Sequence, residues 1–221
     1  MLKKLFSFFI PVNIYKKSSS LSKSLEVTWA NGELVLDSQN TNYSYGSLQR
    51  ILRMALKSVG FNKVKEMQHI LVLGVAGGSV IKTLRDEVRT KAWITGVEID
   101  AEIIKLANTY FKLDKIPNTA IIIDDAFDFV IKTKDIYDLI IIDIFQDTSM
   151  PAFLFESFFA DRICELLSVK GIAIFNTMVL KNADELRNRE YILHFDVCRF
   201  KVSAMSRLET HNEVIIIEKL N

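Results

Sequence analysis

The feature that most constrains this chain is an apolar run that ends in a glycine-rich turn. The run at residues 70–73 leads into Gly74-Val75-Ala76-Gly77-Gly78, and a second apolar run ends about twenty residues later at Glu98. Glycine lacks the Cβ that would block a backbone loop from passing close to a ligand, and a carboxylate can accept hydrogen bonds from both hydroxyls of a ribose. The pattern is typical of the first βαβ unit of a nucleoside-binding fold.

Length and charge limit the class of protein. A chain of 221 residues is long enough for one well-cored α/β domain with a small addition. Apolar runs at residues 120–123 and 139–142 are typical of strands that are covered on both faces. With 28 basic and 27 acidic residues the net charge is +1, so no global field favours nucleic acid or an anionic membrane. We expect a small-molecule acceptor as the partner.

The N-terminus contains an apolar stretch, residues 5–10, which follows Lys3 and Lys4. It is interrupted by Pro11, lacks a small-residue cleavage site, and is far shorter than the ~20 residues of a membrane-spanning helix. We therefore expect this stretch to pack on the protein body or on a second subunit. A homodimer is compatible with this expectation, and we expect no membrane partner.

The two cysteines, Cys164 and Cys198, lie far apart and form no CxxC pair. We expect both to be buried and reduced, in a cytoplasmic protein. The three histidines are equally scattered, which predicts no metal site.

Three regions follow one another along the chain. Residues 1–24 are predicted to form an extension and a polar linker. Residues 25–60 are predicted to form a small β unit with a docking helix over 45–59, because Asn31-Gly32 between two β-rich runs is a hairpin signal. Residues 61–221 are predicted to form the nucleoside-binding domain.

Strand and helix signals alternate through this third region, which predicts a doubly wound, mostly parallel, seven-stranded Rossmann-like sheet. The predicted strands cover 69–74, 92–98, 119–124, 137–143 and 171–177, and the predicted helices 78–90, 101–111, 126–133, 155–167 and 182–193. Two final β runs, 195–203 and 213–219, have no helix between them, so they must pair antiparallel.

The terminal hairpin separates two kinds of nucleoside fold. A dinucleotide fingerprint requires glycine at position 76 and glycine or alanine at 79, but this chain has Ala76 and Ser79. A hairpin at the end of the sheet resembles instead the class I methyltransferase fold, which binds S-adenosylmethionine.

Five stretches of residues 25–177 resemble the spermidine synthase family of aminopropyltransferases and its methyltransferase-like branch. They are Leu36-Asp37-Ser38-Gln39, Gly74-Val75-Ala76-Gly77-Gly78, Val97-Glu98-Ile99-Asp100, the six residues 124–129, and the seven residues 137–143. The resemblance implies S-adenosylmethionine or its decarboxylated form as the cofactor.

The resemblance also implies roles for individual residues. Asp143 would be the catalytic carboxylate over the sulfonium, Glu98 would hold the ribose, and Asp125 would face the adenine. The implied cofactor-binding set is Gln39, Gly74, Ala76, Gly77, Gly78, Glu98, Ile99, Asp125, Ala126 and Asp143, and the implied substrate contacts are Tyr45 and Asp147.

Departures from the family pattern weaken the link to polyamines. The family's usual glycine-rich turn has a third glycine and an aspartate where this chain has Ala76 and Gly77, and its Tyr-His-Glu triplet is replaced by Tyr45-Gly46-Ser47. Because a buried ammonium needs a carboxylate partner, methyl transfer to a small molecule is favoured. Aminopropyl transfer is the alternative, and a non-catalytic nucleoside-binding or assembly protein is an alternative of another class.

Some of these residues also have purely structural interpretations. Asp125 can cap the helix that follows it. An aspartate with a pKa near ~4 is a poor base for an ammonium with a pKa near ~10, so we expect Asp143 to orient the nucleophile more than it takes a proton. The aromatic residues at positions 153, 155, 158 and 159 have helical spacing, which is typical of core or subunit contacts, with an acceptor pocket as the alternative.

Overall fold

The structure is a computed structural model, and it describes residues 2–19, 21, 24–37, 42–145 and 149–221. The chain begins with a short helix, α1 (Leu2–Phe6), and an antiparallel sheet with the strand order β1-β2-β3-β4. The strands of this sheet are β1 (Val12–Lys17), β2 (Leu25–Ala30), β3 (Glu33–Asp37) and β4 (Asn42–Ser44). Asn31 and Gly32 both have positive φ and join β2 to β3, which confirms the predicted hairpin.

Strand β1 was not predicted, since residues 1–24 were expected to be an extension and a linker. Lys16 and Lys17 belong to β1 and pair with Glu26 and Leu25 of β2. Both lysines are exposed, as is usual on an edge strand, where charge opposes further strand pairing. The polar composition of this segment therefore marks a sheet edge in part, and not only a linker.

The end of α1 is attached to the β2–β3 turn. The backbone N–H of Gly32 donates to Ser7 Oγ at 2.9 Å, and the N–H of Asn31 donates to the carbonyl of Ser7 at 2.9 Å. The apolar side chains around this anchor are exposed, namely Leu2, Leu5, Phe6, Phe8, Phe9 and Ile10. A second subunit on this surface stays a prediction. Among the described residues no helix is both long and apolar enough to cross a membrane.

The second sheet has seven strands, in the order β10-β11-β9-β8-β5-β6-β7. The strands are β5 (His69–Leu73), β6 (Trp93–Glu98), β7 (Thr119–Ile123), β8 (Tyr137–Ile142), β9 (Leu167–Met178), β10 (Phe200–Leu208) and β11 (Asn212–Lys219). Strands β5 to β9 pair in parallel, whereas β11 pairs antiparallel with both β9 and β10. The predicted mostly parallel sheet with a terminal hairpin is confirmed.

Helices cover both faces of this sheet. They are α2 (Gly46–Val59), α3 (Phe61–Lys65), α4 (Ser79–Thr83), α5 (Ala101–Leu106), α6 (Ala126–Lys132), α7 (Ser157–Leu166) and α8 (Asn182–Leu193). Single π-helical turns, Leu84–Val88 and Ala107–Phe111, extend α4 and α5, and 3-10 turns lie at Leu113–Lys115 and Ala152–Phe155. Alternate residues of a strand point to opposite faces, so Ile70 and Val72 join one core cluster while Leu71 and Leu73 join the other.

The first strand of the terminal hairpin differs from the prediction, because β10 begins at Phe200 and not at residue 195. The side chain and carbonyl of Asp196 accept hydrogen bonds from the N–H groups of Cys198 and Phe200 and so form a turn. Phe195 is buried against Tyr191 and Phe200, so its apolar character reflects packing and not a strand. Cys198 is exposed, which makes the prediction of two buried thiols wrong for this residue.

Candidate active site

A cavity of about 280 Å³ opens at the carboxyl ends of the four parallel strands β5 to β8. Ligands bind at this edge in open α/β sheets. Every one of these strand ends contributes to the lining, through Gly74 after β5, Glu98 at the end of β6, Asp124 after β7 and Asp143 after β8. Of the predicted cofactor-binding set, the structure brings together Gly74, Ala76, Glu98, Ile99, Asp125, Ala126 and Asp143 around this cavity.

Gly74 is the point where the glycine turn touches the neighbouring strand end. Its φ is +85°, and a Cβ at this position would lie 2.1 Å from the carbonyl oxygen of Asp143. On either side of this contact, Gly74 N–H donates to the carbonyl of Val97 and Asp143 N–H donates to the carbonyl of Leu73. Only glycine fits here without moving the backbone that carries Asp143.

Gly77 and Gly78 end the turn and do not line the cavity. A Cβ on Gly77 would lie 2.8 Å from Cβ of Ser44, whose hydroxyl accepts a hydrogen bond from the N–H of Ser79 at 3.3 Å. Gly78 precedes α4 and packs against Leu113. These two glycines therefore allow the turn to pack against neighbouring elements, and their contact with a cofactor stays a prediction.

Tyr45 is held by the same turn. Its hydroxyl donates to the carbonyl of Gly77 at 3.2 Å, and its ring stacks on Phe111 with the centroids 4.6 Å apart. The backbone φ of 70° is strained for tyrosine, and burial raises its pKa. Tyr45 does not line the cavity, so these contacts are those of a residue that fastens the N-terminal unit to the turn. Its predicted substrate contact stays a prediction.

Glu98 is buried beneath the turn. One carboxylate oxygen accepts hydrogen bonds from the N–H groups of Val75 and Ala76, at 3.1 and 3.0 Å, and the other accepts from Asp100 N–H at 3.1 Å. Burial raises the pKa of Glu98, while these three hydrogen bonds act in the opposite direction. Besides any contact with a ribose, which stays a prediction, Glu98 fixes the backbone of the turn.

Asp143 is partly accessible from the cavity, but protein surrounds its carboxyl group. Asn176 of β9 donates from Nδ2 to Asp143 Oδ1 at 2.8 Å. Burial raises the pKa of Asp143 to about 7, and the charge of Glu98 adds to the rise, while the hydrogen bond from Asn176 opposes it.

Asp125 caps helix α6, because its Oδ1 accepts a hydrogen bond from Phe127 N–H at 2.7 Å. The predicted capping role is confirmed, and Asp125 also lines the cavity, beside Ala126. Asp100 caps α5 in the same way, through the N–H of Glu102.

The charge of the cavity is one-sided. Its described lining contains five carboxyl groups and no lysine, arginine or histidine; the five are Glu98, Asp100, Asp124, Asp125 and Asp143. Carboxylates around a partly apolar cavity favour a positively charged ligand. A sulfonium or an ammonium group carries the positive charge that no side chain of the described lining provides.

Sequence reasoning missed two amides near Asp143. Asn176 is fully buried, and its Oδ1 accepts a hydrogen bond from Asn212 Nδ2 at 3.1 Å. An asparagine at the end of the apolar run of residues 172–175 was the available signal, since a buried amide requires hydrogen-bond partners.

Other predicted residues take different places. Gln39 and Asp147 lie outside the described residues. Phe153 lines the cavity and packs edge-on against Phe127 and Phe159, whereas Phe158 is exposed. The aromatic group is therefore divided between the cavity wall, the core and the surface. In the described part of the chain no cluster of side chains is suited to hold a metal ion.

Comparison with known families decides the relationship of the chain. The spermine/spermidine synthase domain family matches residues 50–199. The chain belongs to this family. The chain is 30% identical to a polyamine aminopropyltransferase of Vibrio vulnificus. The alignment extends over 202 residues and covers 88% of this chain and 64% of that protein.

A second relative is named for a different activity. The chain is 27% identical over 198 residues to an eEF1A lysine and N-terminal methyltransferase homolog of Drosophila melanogaster, which covers 81% of this chain and 28% of that protein. The present chain thus covers less than two thirds of the length of each of these two relatives.

Solved structures show the same fold. A spermidine synthase in complex with the transition state analogue AdoDATO superposes with a TM-score of 0.70 at 18% identity, over 94% of this chain and 74% of that one. Human methyltransferase-like protein 13 in complex with SAH gives a TM-score of 0.65 at 20% identity, over 80% of this chain and 83% of that one. The fold of this family member is that of spermidine synthases and class I methyltransferases.

Proposed function

We propose that the protein is a transferase that binds S-adenosylmethionine, or its decarboxylated form, in the cavity at the ends of β5 to β8. A nucleophile of a small molecule bonds to a carbon attached to the sulfonium, the bond from that carbon to sulfur breaks, and the sulfur leaves as a neutral thioether that keeps the electron pair. The observation that carries the proposal is the ring of five carboxyl groups with no basic side chain in the described lining. A sulfonium is a permanent cation, so this field favours its binding at any pH at which the carboxyl groups are ionised.

The chemistry is the attack of a nucleophile on a carbon bonded to sulfur, which depends on alignment and on the exclusion of water. Asp143 has a second task if the nucleophile is an amine, because an ammonium must lose its proton before it attacks. A carboxylate with a pKa of about 7 is a far better match for this task than an ordinary aspartate. Burial therefore changes the expectation from the sequence, and we assign proton acceptance to Asp143 together with orientation.

Methyl transfer is the form of the reaction that we favour. The family aspartate that the sequence replaces with Gly77 has no room here, since a Cβ would lie 2.8 Å from Ser44 Cβ and 3.2 Å from Tyr45 Cε2. The chain therefore lacks, at this position of the turn, the carboxylate that the family pattern offers to the ammonium of an aminopropyl group or a polyamine. Aminopropyl transfer is the second candidate, supported by the 30% identity with the Vibrio vulnificus aminopropyltransferase.

The proposal extends to the setting of the reaction. The acceptor is a small molecule, and neither nucleic acid nor a membrane takes part, in keeping with the net charge of +1. A reducing, cytoplasmic location is consistent with two free cysteines. Exposed apolar side chains around α1 are compatible with a homodimer.

Thermal unfolding with three ligands tests the proposal. A ligand that binds only the folded protein stabilises it by about 2.7 kcal/mol at one hundred times its Kd. A larger rise of Tm with S-adenosylmethionine supports methyl transfer, and a larger rise with the decarboxylated form supports aminopropyl transfer. Methylthioadenosine measures the share of the nucleoside alone. If none of the three ligands raises Tm at millimolar concentration, the proposed function is wrong.

A further inference from the structure

Two asparagines connect the terminal hairpin to Asp143. Asn212, the first residue of β11, donates from Nδ2 to Asn176 Oδ1 at 3.1 Å, and Asn176 of β9 donates from Nδ2 to Asp143 Oδ1 at 2.8 Å. Strands β11, β9 and β8 are neighbours in the sheet. We call Asp143, Asn176 and Asn212 the amide relay.

The position of Asn176 indicates that its side-chain amide has a role in hydrogen bonding and does not only fill space. Its side chain is completely buried, and it follows the apolar segment of residues 172–175, which is also buried. A buried amide is costly unless its polar atoms are hydrogen-bonded, whereas an apolar side chain would need no partner at this place. In the relay the carbonyl accepts from Asn212 and the amino group donates to Asp143, so one side chain links the hairpin to the cavity.

The two hydrogen bonds of the relay are donated in the same direction. Each amide donates toward Asp143, and Asn212 polarises Asn176 so that its amino group becomes a stronger donor. A donor at a fixed place favours the ionised carboxylate and restrains rotation of its plane. In the described part of the chain Asn176 engages one oxygen of Asp143 and no other side chain engages the second, which is the oxygen that we assign to a ligand in the cavity.

We propose that Asn176, held by Asn212, is a positioning residue that fixes the orientation of the Asp143 carboxylate for proton acceptance. The assignment of proton acceptance rests on the proposed function. The geometry of the relay does not, and it can be tested without a ligand.

Thr177 provides a matched control. It is the next residue of β9 and is equally buried, but it faces the other side of the sheet. Its hydroxyl donates to the carbonyl of Glu213 and accepts a hydrogen bond from Asn188. Thr177→Val therefore removes a buried polar contact from the same strand and leaves the relay untouched.

The test is a pH titration of the aspartate carboxyl carbons by 13C NMR, in which Asp143→Asn assigns the signal of Asp143. Asn176→Leu should move the midpoint of this titration upward by about one pH unit, because a hydrogen bond to the ionised form is lost. Asn212→Ala should move it in the same direction by less, and Thr177→Val should not move it.

The proposal is overturned if Asn176→Leu leaves the midpoint unchanged, or if Thr177→Val moves it equally. Should Asn176→Leu fail to fold, Asn212→Ala and Asn176→Ser decide in the same way, and an unchanged midpoint in both is again contradictory. A failure of the proposed function appears separately, as the absence of a Tm shift with S-adenosylmethionine in the wild-type protein.

Discussion

Two carboxyl groups of one cavity are held in opposite ways. Glu98 accepts three backbone hydrogen bonds, two of them from the glycine turn. Asp143, across the cavity, accepts a single side-chain hydrogen bond among the described residues, from Asn176. Burial raises the pKa of both carboxyl groups, that of Asp143 to about 7, so it is their hydrogen-bond partners that differ.

This difference separates a structural from a chemical role. The acceptor capacity of Glu98 is mostly used by the backbone, so Glu98 maintains the shape of the turn that lines the cavity. Among the described residues only one oxygen of Asp143 accepts a hydrogen bond, and burial raises its pKa to about 7, which suits the proton acceptance that we propose. Both residues end apolar runs in the sequence, which alone does not distinguish them.

The largest effect is expected at Gly74, where the turn and the Asp143 backbone touch. Gly74→Ala should lower the free energy of unfolding by about 4 kcal/mol, because the new Cβ meets a backbone carbonyl and the φ is positive. Gly60→Ala is the control, since its φ is also positive but its Cβ would make only an ordinary contact, with Lys63 Cβ at 4.0 Å, and about 1 to 2 kcal/mol is expected there. Urea unfolding measures both, and equal losses would contradict the close contact.

Asp143→Asn should change stability in a pH-dependent way. The pKa of Asp143 in the folded protein, about 7, lies well above the ordinary value of an aspartate in an unfolded chain. The folded state therefore binds the proton more tightly, and the stability that this provides is lost as pH rises through 7. Relative to the wild type, the variant should gain about 2 to 4 kcal/mol between pH 4 and pH 8. A difference that is constant with pH, measured by urea unfolding, would refute the raised pKa.

Glu98→Ala tests the structural side of the comparison. Three backbone N–H groups lose their acceptor, so the free energy of unfolding at pH 6 should fall by about 2 to 3 kcal/mol. Calorimetric titration should show weaker binding of S-adenosylmethionine, because the turn loses its support. Stability and affinity like those of the wild type would show that Glu98 does not hold the turn.

The smallest effect is expected at Asp125, which lines the same cavity and caps α6. Asp125→Ala should cost about 1 kcal/mol through loss of the cap on Phe127 N–H. Asp125→Asn retains a capping oxygen and should restore most of this stability. If both variants bind S-adenosylmethionine as the wild type does, the predicted contact with adenine is wrong and the cap alone remains.

Most of the large sheet could be predicted from the sequence because its signals are local. The apolar runs before Gly74 and Asp143 have the length of buried strands, and the Asn31-Gly32 turn specifies its hairpin by its own geometry. Prediction failed at Phe195, which lies in a turn and is apolar because it packs against Tyr191. It also failed at Lys16, which belongs to an edge strand whose polar composition resembles that of a linker.

The sequence predicts which residues at the strand ends form the site, but not the side chains that contact them. Residues such as Glu98 and Asp143 follow from chain direction, since parallel strands bring their carboxyl ends to one edge. The partners of these residues do not follow, because Asn176 and Asn212 reach Asp143 through the order of strands β8, β9 and β11. Tyr45 likewise reaches Gly77 through long-range packing.

The central claim is that the cavity binds an adenosyl sulfonium, and calorimetric titration with S-adenosylmethionine tests it most directly. Ala126 lines the cavity in the first turn of α6, whereas Ile131 of the same helix does not line it and is exposed. We predict that the wild type and Ile131→Tyr bind with the same Kd, and that Ala126→Tyr, which fills the cavity, binds at least about tenfold more weakly, a loss of about 1.4 kcal/mol. No binding by the wild type at millimolar ligand, or undiminished binding by Ala126→Tyr, would contradict the claim.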